Sequence, residues 1–417
     1  MEIGRDIFLS KLIRKKHNGM IKVITGIRRC GKSYLLRTLF RNHLLQIGVD
    51  QDHIFEMAFD IRSSRQYLDP DVFDAFARSK IVDDKMYYFL LDEVQLLEDF
   101  ESVLNGLMQY SNVDIYVTGS NAKFLSKDVI TEFRGRGDEI HMTPLSFAEF
   151  MKIYPGDKRD GFEEYLLYGG LPPVVLLDNN EDKLTLLQSL LTETYIKDIL
   201  TRYKIRNKSE LDELLNMISS NIGTLINPEK LKNTFRSVKK SKITSSTISK
   251  YLEYLSDAYI IKAAHRYDVK GKAYIETPMK YYYSDLGLRN ARINFRQIEV
   301  THSMENVIYN ELRRRGFNVD IGSVTISDMN QKGVYIRKQL EVDFVCNKGS
   351  KRYYVQSAYV LPDDKKRNQE LRPLRNIEDS FKKIIITNDS PGTFYNDDGI
   401  LFMNTFDFLL DQDSLDI

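Results

Sequence analysis

The stretch "GIRRCGKS", Gly26 to Ser33, has the form G-x-x-x-x-G-K-S, and each fixed position has a chemical use. Gly26 and Gly31 let a backbone wrap closely round a triphosphate, while the amides of Ile27, Arg28, Arg29 and Cys30 and the helix start behind them offer N–H donors. Lys32 can reach the outer phosphates, and Ser33 can ligate magnesium. Further along, "FLLDEVQ" sets Asp92 beside Glu93. Asp92 suits holding Mg²⁺ through water, and Glu93 suits polarising an attacking water. "YVTGSN" ends in Ser120 and Asn121, either of which could sense a γ-phosphate. Arg134 and Arg136 lie among glycines in "FRGRGDE", as an arginine reaching into a neighbouring copy's nucleotide would require.

These groups need a particular scaffold, and the flanking residues predict one. Ile21 to Thr25 is β-prone and leads into the glycine loop; Leu35, Leu36, Leu39 and Phe40 follow at helical spacing. Tyr87 to Leu91 is continuously apolar, as a buried parallel strand should be, and delivers Asp92 and Glu93 at its C-terminal end. Asp114 to Thr118 reads as a further strand.

The whole chain, 417 residues at a net charge of +1, is long enough for two or three domains, each with its own core. Cys30 and Cys346 are far apart and have no metal-ligand pattern, which argues against a disulfide framework or a zinc site and for a reducing compartment. Cys30, inside the loop, is expected to be a target for thiol reagents. The charged N-terminus and the lack of a long apolar run predict a cytoplasmic protein without a membrane segment.

"YLLYGGLPPVV" carries Gly-Gly and Pro-Pro punctuation, which places a domain boundary near residue 160. Amphipathic helices follow in "LLQSLLTETYIKDIL" and "ELDELLNMISSNIG". From Asn227 the pattern predicts helix, turn, helix and hairpin, a winged-helix layout. Ser245 or Ser246 would cap a helix carrying Ile248, Tyr251, Leu252 and Leu255, with strands at 259–266 and 273–275. Eleven Lys and Arg stand against four acids between Pro228 and Lys272. Lys239, Lys240, Lys242, Lys250 and Arg266 are the candidates for contact with DNA phosphates, the alternative being a module that binds a protein partner.

Taken in order, "GIRRCGKS", "FLLDEVQ", "YVTGSNAKFLS", "GRGDEIHMTPLSFAEF", "YLLYGGLPPVV", "KYYYSDLGLRNA" and "KQLEVDFVCNKGSKRYYVQSAYV" resemble a P-loop ATPase of the AAA+ superfamily. More narrowly, the chain is similar to bacterial and archaeal ATPases that join an AAA-type domain to a C-terminal domain of unknown function with a restriction-endonuclease-like fold. The resemblance implies an α/β protein in three parts: an AAA+-like P-loop NTPase domain with a parallel sheet over 1–160, a helical and winged-helix segment over 161–290, and an endonuclease-like α/β domain over 291–417. It also implies binding of ATP with Mg²⁺, hydrolysis, and a homo-oligomer as one way to use an arginine finger.

In active members of the endonuclease-like fold, a helix Glu and a strand Asp hold a divalent ion, and an E-x-K on the next strand adds a ligand and a lysine. The corresponding residues here are Glu305, Asp343 and the triplet Gln356, Ser357, Ala358. Gln356 keeps an oxygen without the charge, and Ala358 cannot move a proton. General acid–base catalysis by such a group contributes about 10²- to 10⁴-fold. A degenerate centre is expected unless a lysine from elsewhere, such as Lys338 or Lys351, takes its place.

Overall fold

The computed structural model describes residues 3–119, 133, 135–296, 298–329 and 334–416, which divide into two compact units, Met1–Pro144 and Leu145–Ile417. No helix among the described residues is long and apolar enough to cross a membrane.

In the first unit, strands β1 (Ile21–Thr25), β2 (Ile54–Ala58), β3 (Tyr87–Asp92), β4 (Val113–Thr118) and β5 (Gly137–His141) form a parallel sheet in the order β2-β3-β4-β1-β5. Every residue of β1, β3 and β4 is buried, which explains why these strands read as apolar runs without alternation. Val23, Phe89, Leu91, Ile115 and Val117 pack with Phe73 and Phe100 of the covering helices into one core. This order inserts β4 between β1 and β3, so Thr25, Thr118 and Asp92 end side by side, with adjacent parallel strands about 4.8 Å apart. The register pairs Ile24 with Thr118 and Leu91 with Val117. Towards the other end of β1, the buried Lys22 ammonium meets the Asp114 carboxylate, which also accepts from the Tyr116 hydroxyl at 2.8 Å and the His17 N–H at 3.1 Å.

The second unit carries a nine-stranded mixed sheet. Its strands are β6 (Leu225–Ile226), β7 (Ile261–Asp268), β8 (Ala273–Tyr283), β9 (Asn318–Met329), β10 (Tyr335–Lys348), β11 (Lys351–Ala358), β12 (Lys382–Thr387), β13 (Phe394–Tyr395) and β14 (Leu401–Asn404). They lie in the order β13-β14-β12-β11-β10-β9-β7-β8-β6. Between β6 and β7 come the helices Pro228–Lys239 and Ser245–Asp257, preceded by Lys208–Ser220. Ile248, Tyr251, Leu252 and Leu255 all face inward as their spacing predicts. The cap is Thr244, which accepts from the Thr247 N–H at 3.2 Å, where Ser245 or Ser246 was expected.

Residue 160 falls inside the helix Lys158–Tyr168, and the break between units lies at 144/145. The Gly169–Gly170 turn belongs to the second unit, where the buried Asp285 carboxylate accepts from the Gly170 N–H at 2.7 Å and the Leu288 N–H at 3.2 Å. At Gly169, with φ +75°, a Cβ would overlap that carboxylate, which explains why "YLLYGG" and "YYYSDLG" need each other. The residues on either side of position 290 lie in the same unit. β7 pairs in parallel with β9, Arg266 opposite Ile321, so the hairpin and the C-terminal strands make one sheet.

Candidate nucleotide site and a second acidic centre

The loop after β1 is held by close backbone approach. Gly26 has φ +139°, and a Cβ there would overlap the carbonyl oxygen of Met142. Arg5, 2% exposed, donates from Nη1 to the Cys30 carbonyl at 3.1 Å and from Nη2 to the Thr143 carbonyl at 2.6 Å, fastening the loop from beneath. Cys30 is fully buried with its Sγ 3.7 Å from the Met142 carbonyl, so it is not the accessible thiol expected from its place in the loop. Arg28 and Arg29 are exposed at the rim, Arg29 at φ +68°. Gly31, φ +101°, opens the helix that carries Lys32 and Ser33. Lys32 is 5% exposed and donates to the carbonyls of Gly26 at 3.0 Å and Ile27 at 3.2 Å.

The two halves of the site meet at Asp92. Its Oδ1 accepts from the Ser33 hydroxyl at 3.0 Å and from the Thr118 hydroxyl. Burial pushes the Asp92 carboxyl above the usual range, against the pull of those two hydroxyls. The same Thr118 oxygen accepts from the Glu93 N–H at 3.1 Å. Glu93 sits at φ +54°, just past the end of β3, and its carboxylate accepts from the Gln95 amide. Ser33 and Asp92 are the oxygen-bearing groups at this point that would hold a magnesium ion.

The structure therefore brings together Lys32, Ser33, Asp92 and Glu93. It also adds two groups that sequence reasoning missed. Thr118 carried a signal, being the polar last residue of an apolar strand; Arg5, far from any motif, carried none. Ser120, Asn121 and Arg134 lie outside the described residues. Arg136 is exposed, and its carbonyl accepts from the Ile21 N–H at 2.8 Å.

Of the basic candidates, Lys240, Lys242 and Lys250 are exposed. Lys239 is 3.3 Å from Glu213, and Arg266 donates to Gln339 Oε1 at 3.0 Å and Ser323 Oγ at 3.4 Å.

A second centre forms in the other unit. Glu305 comes from the helix Val300–Arg314 and Asp343 from β10, beside a bulge between Val342 and Val345. Asp343 Oδ2 accepts from the Ser357 N–H at 2.8 Å, and Gln356 Oε1 lies 3.3 Å from the Asp343 nitrogen that donates to it. Gln356 Nε2 donates to Glu370 at 2.8 Å, and Ala358 packs with Leu371 and Leu374. Neither expected lysine arrives: Lys338 is 3.7 Å from Asp328, and Lys351 is 2.6 Å from Asp416. Lys280 of β8 does arrive, with its Nζ 2.9 Å from Glu305 Oε1 and 2.7 Å from Glu341 Oε1. Burial alone would lower the Lys280 pKa, but the charges of Glu305, Asp343 and Glu341 hold it raised. Burial pushes Glu305 up, yet Lys280 and donors from His302 and Tyr282 hold it at about 2. Burial and the Glu305 charge push Asp343 well above the carboxylate range.

Residues 18–151 match the family described as AAA domain, and residues 159–299 match the Domain of unknown function DUF8612. The chain is 34% identical to an uncharacterized protein of Haemophilus influenzae, over 98% of each chain. The two belong to one family, and residues 18–151 of this chain carry an AAA domain. The AAA protein is also 29% identical to the uncharacterized protein MJ1544 of Methanocaldococcus jannaschii, over 95% of this chain and 86% of that one. In fold it is similar to the Walker-type ATPase PABY2304 of Pyrococcus abyssi, with a TM-score of 0.50 and 17% identity, covering 70% of this chain and 96% of the other. The AAA domain supports ATP binding.

Proposed function

We propose that this AAA protein binds Mg·ATP in the Gly26–Ser33 loop and hydrolyses it. The observation that carries the reading is the hydrogen-bonded set Ser33, Asp92, Thr118 and Glu93, formed where β3 and β4 end beside the loop. Ser33 and Asp92 would hold a magnesium ion, which would neutralise phosphate charge there. Lys32 exchanges its bonds to the Gly26 and Ile27 carbonyls for the outer phosphates. Glu93 orients the water that attacks the γ-phosphorus, and the P–O bond to the β-phosphate breaks. Arg136, exposed at the edge of this unit, is the candidate finger toward a second copy.

Phosphate release by wild type and by Glu93→Gln tests this reading. A wild-type rate no higher than that of the variant would overturn it in favour of a slow nucleotide-regulated switch.

A second reading rests on the helix, short strand, two helices and hairpin over 208–283, an order that supports a winged helix with exposed Lys240, Lys242 and Lys250 for DNA phosphates. Changing all three to Glu should weaken DNA binding and reduce its salt dependence in an anisotropy titration. Equal affinity for wild type and triple variant would leave a protein partner as the occupant.

A further inference from the structure

The resemblance to metal nucleases implies a divalent cation between Glu305 and Asp343, and the residues present do not fit one. Glu305 Oε1 already accepts from both Lys280, at 2.9 Å, and the Tyr282 hydroxyl, at 2.6 Å. Asp343 Oδ2 is taken by the Ser357 N–H. The oxygen of Gln356, uncharged, accepts from the Asp343 N–H. Among the described residues no group of three or more His, Cys, Asp or Glu side chains is placed to hold a metal ion.

What the centre holds instead is a cation of its own. We propose that the Lys280 ammonium occupies the charge-neutralising position of the divalent ion, so that this centre is a filled, metal-independent acidic pocket that binds no metal and cuts no DNA. An ammonium bridges two carboxylates as a metal would, with N–H donors directed at Glu305 and Glu341. It carries one unit of charge where magnesium carries two, and the deficit matches the residues around it. One carboxylate of the nuclease pattern is replaced by the uncharged Gln356, whose oxygen is already engaged by the Asp343 N–H. The side chain of Lys280 is 4% exposed and that of Glu305 7%, so the ammonium is not a surface lysine that has drifted inward. Its place is set by backbone pairing, Lys280 opposite both Ala264 on β7 and Leu225 on β6. A buried ammonium with carboxylate partners is strongly held, because removing either side leaves an uncompensated charge.

The test uses the full chain without nucleotide. Mn²⁺ uptake is followed by loss of the free-ion resonance signal, and thermal unfolding is run with and without Mn²⁺, for wild type, Asp343→Asn, Lys280→Met and Lys280→Met/Asp343→Asn. Wild type and Asp343→Asn should behave alike, with no shared-site uptake and no Mn²⁺-dependent rise in melting temperature. Lys280→Met should melt lower, gain an Mn²⁺ site at least about tenfold tighter than any in wild type, and lose that gain in the double variant. If Lys280→Met folds only when Mn²⁺ is added, that rescue supports the proposal equally. Mn²⁺ uptake or plasmid nicking by wild type that Asp343→Asn abolishes would overturn it. So would a Lys280→Met chain that neither binds Mn²⁺ nor is stabilised by it.

Discussion

Thr118 is the group on which the proposed hydrolysis depends without itself facing substrate, and Thr118→Val isolates its contribution. The side chain is fully buried, and Val preserves its shape while removing the oxygen. Two bonds disappear: the hydroxyl's donation to Asp92 Oδ1, and its acceptance from the Glu93 N–H at 3.1 Å. A hydrogen bond to a charged group contributes about 1.5–3 kcal/mol, and a buried donor left without a partner costs about 1–3 kcal/mol. A loss on the order of 3 kcal/mol in holding Glu93 and Asp92 corresponds to roughly a hundredfold in rate when it is felt only in the transition state. The loop from Gly26 to Ser33 keeps its contacts with Arg5 and Met142, so affinity for a fluorescent ATP analogue should stay within about threefold of wild type. Steady-state phosphate release then gives the split, with kcat falling and nucleotide affinity holding. Thr118→Ser, which keeps the hydroxyl, should recover most of the rate. A kcat for Thr118→Val within twofold of wild type would refute the positioning argument, and a parallel loss in affinity would show that Thr118 supports the loop instead.

Gly26→Ala should weaken ATP-analogue binding by about tenfold or more, since a non-glycine residue in such a region is strained by about 1–3 kcal/mol and here also meets the Met142 carbonyl. Gly19→Ala, with φ +70° and open space around it, is the control, and equal behaviour of the two would sink the close-approach argument. For the Lys22–Asp114 pair, Lys22→Met and Asp114→Asn should each lower the free energy of unfolding by about 3–5 kcal/mol, because each leaves one buried partner uncompensated. The double variant should lose clearly less than the sum in a urea titration, and additive losses would mean that the pair is not coupled. Asp285 gives a pH prediction. Burial raises its pKa to about 6, against the hydrogen bonds from Gly170 and Leu288, while an unfolded Asp titrates near 4. The folded state therefore binds more protons between about pH 4 and 6, and stability falls as pH rises through that window, by on the order of 3 kcal/mol. Asp285→Asn should remove that slope in denaturation curves at pH 4 to 7, and an unchanged slope would locate the titration elsewhere.

How far the sequence carries depends on how local each piece of chemistry is. The phosphate loop is legible because glycine, lysine and serine act within eight residues, and because the strands β1, β3 and β4 are buried on both faces and so read as apolar runs. Alternation also gives the right neighbour for Asp343, since Gln356 does lie against it. It fails for the missing lysine. Lys280 reaches Glu341 across a sheet with bulges between Ala264 and Arg266 and between Val342 and Val345, and each bulge resets which way the following side chains face. The joining of β7 to β9 is equally silent in the sequence, because it depends on a crossover through the Val300–Arg314 helix and not on any local pattern. One signal was nevertheless present. In "MKYYYS" a lysine stands at the head of an aromatic run that must be buried, and a buried ammonium needs carboxylates to face it. Glu305 and Asp343, counted as ligands, make a nuclease centre that lacks its proton carrier. Counted as partners for a buried ammonium, Glu305 and Glu341 make a site already supplied with a cation from β8, Lys280.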